Sequence, residues 1–285
     1  MPAWSQTFTF LDGVWLEGNH PFIGARTHAF WLGSSVFDGA RAFDGVMPDL
    51  DRHCARLNRS AVTMSLKPIM SEAAMLELAR EGVKKFAPGA ELYIRPMYWP
   101  EHSGATAVPP DPDSTRFCLC IYEAPLPKPT GIAITRSPFR KPTAETMPIN
   151  AKAGCLYPNN ARALMEANAR GFDNCILADM LGNVAELATA NIFMAKDGVV
   201  YTPQANGTFL NGVTRQRVLK LMRDTGHDVR EATLSFEDFD AADEVFYVGN
   251  FGKVAPVRRL DNRDLQPGPY YRKARELYWE YAHSG

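Results

Sequence analysis

The stretch Ala124-Pro125-Leu126-Pro127-Lys128-Pro129-Thr130-Gly131 constrains this chain more than any other. Three prolines fall within five residues there. Proline fixes φ and removes a backbone donor, so neither a helix nor a sheet ladder runs through such a segment, which behaves as a semi-rigid connector. The chain is therefore expected to fold as two parts: an N-terminal domain over residues 1–124, a linker over 125–131, and a larger C-terminal domain over 132–285. A length of 285 residues agrees with two domains of roughly 100–200 residues each.

Composition narrows the class. Apolar residues make up 46% of the chain, enough to offset chain entropy and exclude intrinsic disorder. Lys plus Arg number 31 and Asp plus Glu 32, a net charge of −1, which argues against nucleic acid as a partner because that binding needs clustered basic charge. No run approaches the ~20 apolar residues of a membrane span, and the first ten residues lack a basic-then-apolar secretory pattern. Five scattered cysteines, an odd number, read as buried thiols of a cytoplasmic protein rather than a disulfide frame.

Local patterning places the elements. Phe8–Leu11 and Val14–Leu16 flank Asp12-Gly13, and Val36–Phe43 precedes Asp44-Gly45, both hairpin signals. Helices are expected over 51–66 and 71–86, and strands over 92–99 and 115–123, with a Pro- and Gly-rich loop between those strands. Past the linker, Asn159 is read as the cap of a helix ending at Gly171, and 172–180 as a strand. A hairpin turning at Asp197-Gly198, a helix over 214–225, strands near 244–248 and 254–258 and a helix starting at Pro269 complete the pattern.

The chain contains no G-x-G-x-x-G, P-loop, H-E-x-x-H or G-x-S-x-G motif, and its six histidines show no metal-ligand spacing. One lysine stands out. Asn150-Ala151-Lys152-Ala153-Gly154 surrounds Lys152 with small residues, which fits either an exposed loop lysine or a partly buried amine whose neutral form condenses with an aldehyde. Glu186, in the strand-like run Val184–Phe193, is either edge-exposed or the counter-ion of a cation. Leu210-Asn211-Gly212-Val213-Thr214-Arg215 is a turn into a helix, where Thr214 is either an ordinary cap or part of a phosphate site. Amine, carboxylate and phosphate cradle together match what pyridoxal phosphate requires.

The run from Gly33-Ser34-Ser35-Val36-Phe37-Asp38-Gly39-Ala40-Arg41 through Tyr93-Ile94-Arg95-Pro96, Asn150–Gly154, Gly198–Pro203 and Gly212–Arg215 to Ala255-Pro256-Val257 resembles the class IV, fold-type IV pyridoxal-phosphate aminotransferases, in particular the branched-chain group. The resemblance implies two α/β domains with the cofactor at their interface. It implies that Lys152 holds the cofactor's aldehyde and shuttles the substrate Cα proton, and that Glu186 keeps the pyridine nitrogen protonated. Tyr157 is implied to hydrogen-bond the phenolic oxygen, and Arg56, Val213, Thr214 and Asn250 to bind the phosphate. For Arg56 the residues alone equally fit a surface helix arginine. Leu32, Phe37, Arg41, Tyr93, Arg95 and Phe251 are implied as the substrate wall, with Arg41 and Arg95 placed to meet a second carboxylate. No metal site is expected.

Three departures from the family pattern bear on the substrate. Leu32 stands where branched-chain enzymes commonly carry Tyr, Gly249-Asn250-Phe251-Gly252 replaces a Gly-Thr-Ala-Ala turn, and Cys155-Leu156 replaces two small residues. A drier, more aromatic pocket disfavours a carboxylate. Two donor classes thus stand side by side: hydrophobic amino acids paired with a 2-oxo acid, and (R)-amines paired with pyruvate. A D-amino acid aminotransferase, an aminodeoxychorismate lyase and a cofactor-free binding protein on the same fold rank lower. The family implies a homodimer or higher homo-oligomer, and Phe30 and Trp31 fit either an interface or a core.

Overall fold

Asp12 (φ 50°) and Gly13 (φ 87°) both take left-handed backbone, closing the hairpin between β1 (Thr7–Leu11) and β2 (Val14–Glu17) as a primed turn that matches strand twist. The computed structural model describes residues 4–284; residues 1–3 and 285, the outermost of the expected domain ranges, lie outside that description. Two units are present. The first runs to Leu126 and also takes in Asn150–Cys155, and the second comprises Pro127–Ile149 and the chain from Leu156 onward. The division falls inside the proline run. The six residues around Lys152, expected in the C-terminal domain, group instead with the first unit.

In the first unit, α1 (His28–Leu32), β3 (Val36–Phe37) and β4 (Ala40–Ala42) follow the hairpin. Then come α2 (Leu50–Thr63), α3 (Glu72–Val83), β5 (Leu92–Pro100) and β6 (Thr115–Glu123). The sheet order is β2-β1-β6-β5-β3, with β4 also on β5. The strand expected over 36–43 is interrupted at Asp38-Gly39, although Phe37↔Met97 and Ala40↔Ile94 keep one register. Asp38 faces Pro96 there and donates its N–H to the Pro96 carbonyl at 3.0 Å, but Pro96 has no N–H to return. On α2 the residues Leu50, His53, Cys54, Leu57, Ser60 and Ala61 repeat at helical spacing and are buried. Leu57 is fully buried, so its truncation to Ala costs about 3 kcal/mol.

The second unit is built on β7 (Ile132–Arg140), α4 (Tyr157–Ala169), β8 (Asn174–Ala178), β9 (Val184–Leu187), β10 (Asn191–Lys196) and β11 (Val199–Pro203). It continues with α5 (Val213–Asp224), β12 (Val229–Ala232), α6 (Phe236–Asp240), β13 (Glu244–Gly249), β14 (Lys253–Leu260), β15 (Arg263–Asp264) and α7 (Pro269–His283). Its sheet order is β12-β11-β10-β13-β14-β7-β8-β9, with β15 on β14. Ile134, Ile176, Leu187, Ile192, Phe239 and Val257 share one core there. Asn159 does not cap α4. Pro158 sits in the first turn of a helix that starts three residues earlier than expected, after Leu156, and the Asn159 amide donates instead to the Arg140 carbonyl at 2.9 Å. Of the five free thiols, Cys54, Cys118 and Cys175 are buried as expected, whereas Cys120 and Cys155 are only half-buried.

Candidate active site

Lys152 is fixed by its backbone before its side chain does anything. Its N–H donates to Ser60 Oγ on α2 at 3.0 Å, and its carbonyl accepts from the Phe37 N–H at 3.0 Å. Gly154 N–H donates to the Ser35 carbonyl at 2.8 Å, and Ala153 bridges Val36, so residues 152–154 lie along β3 like an extra strand. The side chain is half-buried, with Nζ 4.8 Å from the centroid of the Phe37 ring. This is the partly buried amine rather than the exposed loop lysine.

Arg56 is not a surface residue either. It lies one helical turn before Ser60 on α2 and is 8% exposed. Its Nε and Nη2 donate to the two oxygens of Asp38 at 2.7 and 2.8 Å. His53 Nδ1 is 2.6 Å from Asp38 Oδ1, and because a carboxylate only accepts, Nδ1 carries the proton. Burial alone would raise the Asp38 carboxyl, but the Arg56 and His53 charges and hydrogen bonds overcome it and hold the group well below the usual carboxylate range.

A second cluster in the same unit contains Arg41, Tyr93, Arg95 and Tyr122. The Tyr93 and Tyr122 rings stack with centroids 5.4 Å apart, and the Arg95 guanidinium lies 5.0 and 5.1 Å from them. Arg95 Nη2 donates to the Tyr122 hydroxyl, and Arg41 Nη1 donates to the Ala124 carbonyl. The Tyr93 hydroxyl occupies the space that a Cβ at Gly39 would need. Leu32 is half-buried at the end of α1, where Gly33 (φ 65°) turns the chain.

In the second unit Glu186 sits on β9, at the edge of the sheet, yet it is buried at 7% exposure. Its Oε1 is 2.8 Å from the ammonium of Lys141, itself 6% exposed, and its Oε2 accepts from Asn191 Nδ2 at 3.2 Å. The counter-ion reading is therefore the one the structure supports, with Lys141 as the cation.

Asn191 also joins Glu186 to the start of α5. Its Nδ2 donates to the Leu210 carbonyl at 3.1 Å, and its Oδ1 fills the space where a side chain at Gly212 would go. Gly212 is the N-cap of α5, so Thr214 lies inside the first turn and is not the cap. A glycine cap has no side chain to satisfy the N–H groups of that turn, which leaves a place for an anion. Arg215, 1% exposed, ties this turn down by donating to Asn211 Oδ1, the Pro203 carbonyl and Glu231 at 2.9, 2.7 and 2.8 Å.

Val213 and Thr214 are buried, and Tyr157 opens α4 at 36% exposure. Phe251 is 62% exposed in the turn between β13 and β14, and Asn250 beside it has a buried Nδ2 with no hydrogen-bond partner among the described residues. Among the described residues no group of three or more His, Cys, Asp or Glu side chains is placed to hold a metal ion.

Residues 35–260 match the family model described as amino-transferase class IV. This chain belongs to the class IV aminotransferase family. A probable branched-chain-amino-acid aminotransferase of Rickettsia felis is 32% identical over 257 residues, covering 88% of this chain and 87% of that one. The crystal structure of an aminotransferase from Brucella abortus bound to the cofactor PLP superposes with a TM-score of 0.97 at 54% identity, over 98% of this chain and 100% of that one. The branched-chain aminotransferase of Escherichia coli superposes with a TM-score of 0.90 at 28% identity, over 99% and 95%. Sequence reading missed five polar residues that this class IV aminotransferase uses to hold the expected ones: Asp38, His53, Ser60, Lys141 and Asn191. Helical spacing of His53, Arg56 and Ser60 on α2 was the one available signal.

Proposed function

We propose that this aminotransferase carries pyridoxal phosphate and moves an amino group from a hydrophobic amino acid of the branched-chain type to a 2-oxo acid, in a ping-pong cycle. The observation that carries the proposal is Lys152: a primary amine pinned at both backbone groups and set against an aromatic face. The relatives support the donor class, since those from Rickettsia felis and Escherichia coli are described as branched-chain aminotransferases.

The residues fit the cofactor. Within the second unit, a glycine cradle at the start of α5 and the unpartnered Asn250 Nδ2 suit a phosphate group, and Arg56, bidentate to Asp38 in the first unit, is assigned to that group on the resemblance alone. When bound, pyridoxal phosphate supplies an electrophilic aldehyde and a ring that draws electrons from the substrate Cα. With the cofactor bound, Lys152 would be the amine that holds it, and Nζ would accept and return the substrate Cα proton. Glu186, ion-paired with Lys141 at 2.8 Å, would be the carboxylate that meets the protonated ring nitrogen. Tyr157 is assigned to the phenolic oxygen. Arg95, with Tyr93, Phe37, Leu32 and Phe251, is assigned to the substrate and to the second carboxylate of a dicarboxylic acceptor. Arg41, expected beside it, is fully buried with its guanidinium 5.6 Å from the Tyr93 ring centroid, and so supports that wall instead of meeting the carboxylate.

A homodimer is part of the same proposal, supported by Phe30 and Trp31 standing 67% and 52% exposed on α1. Five free thiols support a reducing, cytoplasmic location. No described helix is long and apolar enough to cross a membrane.

The test is a donor panel on the purified enzyme, with leucine, isoleucine, valine, D-alanine and both enantiomers of 1-phenylethylamine, followed by borohydride trapping and peptide mapping. The expected result is turnover of the branched-chain L-amino acids, with the trapped cofactor on Lys152. Activity on the (R)-amine but none on the three amino acids transfers the enzyme to the amine class. A label away from Lys152 removes the proposal altogether.

A further inference from the structure

β14 opens, just past the turn from β13, on a buried lysine that the proposed chemistry does not use. Lys253 is 1% exposed and takes a left-handed backbone (φ 59°), a conformation that side-chain-bearing residues rarely adopt. Its Nζ donates to Asn250 Oδ1 at 2.7 Å and lies 5.8 Å from the centroid of the Tyr278 ring. An ammonium only donates, so the amide oxygen of Asn250 must face Lys253, and the amide NH2 must face the other way. That Nδ2 is buried and finds no acceptor among the described residues. A buried donor left in this condition is costly and calls for a ligand.

The sheet register shows what lies at the same end. Val248 of β13 pairs with Asn191 of β10, two residues before Asn250. Asn191 fills the space beside Gly212, the uncapped start of α5. Asn250 therefore belongs to the sheet end that carries the anion cradle.

We infer that Lys253 is a positioning residue: it locks the Asn250 amide with its Nδ2 donors turned toward an oxygen of the cofactor's phosphate. The inference rests on the proposed pyridoxal-phosphate reading. A hydroxyl at position 250 rotates to suit its partner, whereas an amide has two unlike faces and needs to be set. Lys253 sets it.

The experiment is a double-mutant cycle on the apoenzyme, titrated with inorganic phosphate and with pyridoxal phosphate by calorimetry. Lys253→Met is expected to weaken phosphate binding about tenfold, the loss of one hydrogen bond to a charged group. Asn250→Thr supplies its own rotatable hydroxyl, so adding Lys253→Met to it is expected to change affinity by less than about twofold. An equal loss in both backgrounds means that Lys253 acts only as a charge and overturns the inference, as does no loss in either. If Lys253→Met fails to fold, Lys253→Gln decides, because it keeps a donor for Asn250 without the charge. Phosphate affinity within about threefold of the parent supports positioning, and a tenfold loss refutes it. Borohydride trapping on each variant keeps the two proposals apart: a label still on Lys152 with no coupling in the cycle sinks this inference alone.

Discussion

Lys141 Nζ lies 2.8 Å from Glu186 Oε1, and both side chains are buried. Glu186 thus has a cation of its own chain, and Asn191 holds its second oxygen. The carboxylate is oriented before any ligand arrives, and preorganisation of this kind is what electrostatic catalysis relies on.

Breaking this pair from one side strands a buried charge. Glu186→Gln or Lys141→Met alone is expected to lower apoenzyme stability by about 3 kcal/mol in urea unfolding, and the double variant to lie closer to the parent than either. Strictly additive losses would show that the two groups do not act as a pair. Glu186→Gln is also expected to slow turnover by about a hundredfold or more.

Lys152→Ala is expected to lower kcat by about ten-thousandfold, since in the proposed cycle Lys152 is both the nucleophile and the group that moves the proton. Affinity for inorganic phosphate should stay within a few-fold, because no phosphate-site residue is altered. Steady-state turnover within tenfold of the parent would exclude Lys152 from its assigned role.

Asp38 provides a pH signature. Its carboxyl is held well below its ordinary value in the folded protein, so the unfolded chain binds the proton more readily. The stabilisation is complete above about pH 5 and shrinks as the pH falls below about 4, toward the depressed native value. Asp38→Asn should therefore trail the parent by about 2–4 kcal/mol at pH 7, and the gap should close in acid. A gap that stays constant from pH 7 to pH 3 contradicts the assignment.

The buried thiols should be inert. Burial pushes Cys54 and Cys118 up to about 12 and Cys175 to about 11. At pH 8 the first two hold only roughly one thiolate in ten thousand, so alkylation of the native protein should run about a thousandfold slower than for a free thiol. Timed iodoacetamide labelling with peptide mapping checks this, and rapid native labelling of Cys54 would refute it.

Local elements were readable because their causes are local. The turns at Asp12-Gly13 and Asp197-Gly198 need left-handed backbone, and the residues that tolerate it stand there in the sequence. The start of α7 at Pro269 and the αL glycine after α4 at Gly171 follow from the same kind of preference. The break at the proline run is a property of eight consecutive residues. Asn159 failed as a cap because Pro158, one residue earlier, already fixes the first turn.

The polar contacts of the site are of another kind. Ser60 and the Lys152 N–H are 92 positions apart, and Arg56 and Asp38 are 18. Nothing in the neighbourhood of Lys141 distinguishes it from a solvated lysine next to Arg140. Whether a charge is buried, and which group neutralises it, depends on how distant segments close over it, and the desolvation that makes the pairing obligatory exists only after they have closed. The sequence by itself determined the turns and the break at the proline run, and it singled out the amine and the carboxylate as candidates. Tertiary structure alone decided which partners hold them, because burial is a property of the folded chain and not of any segment.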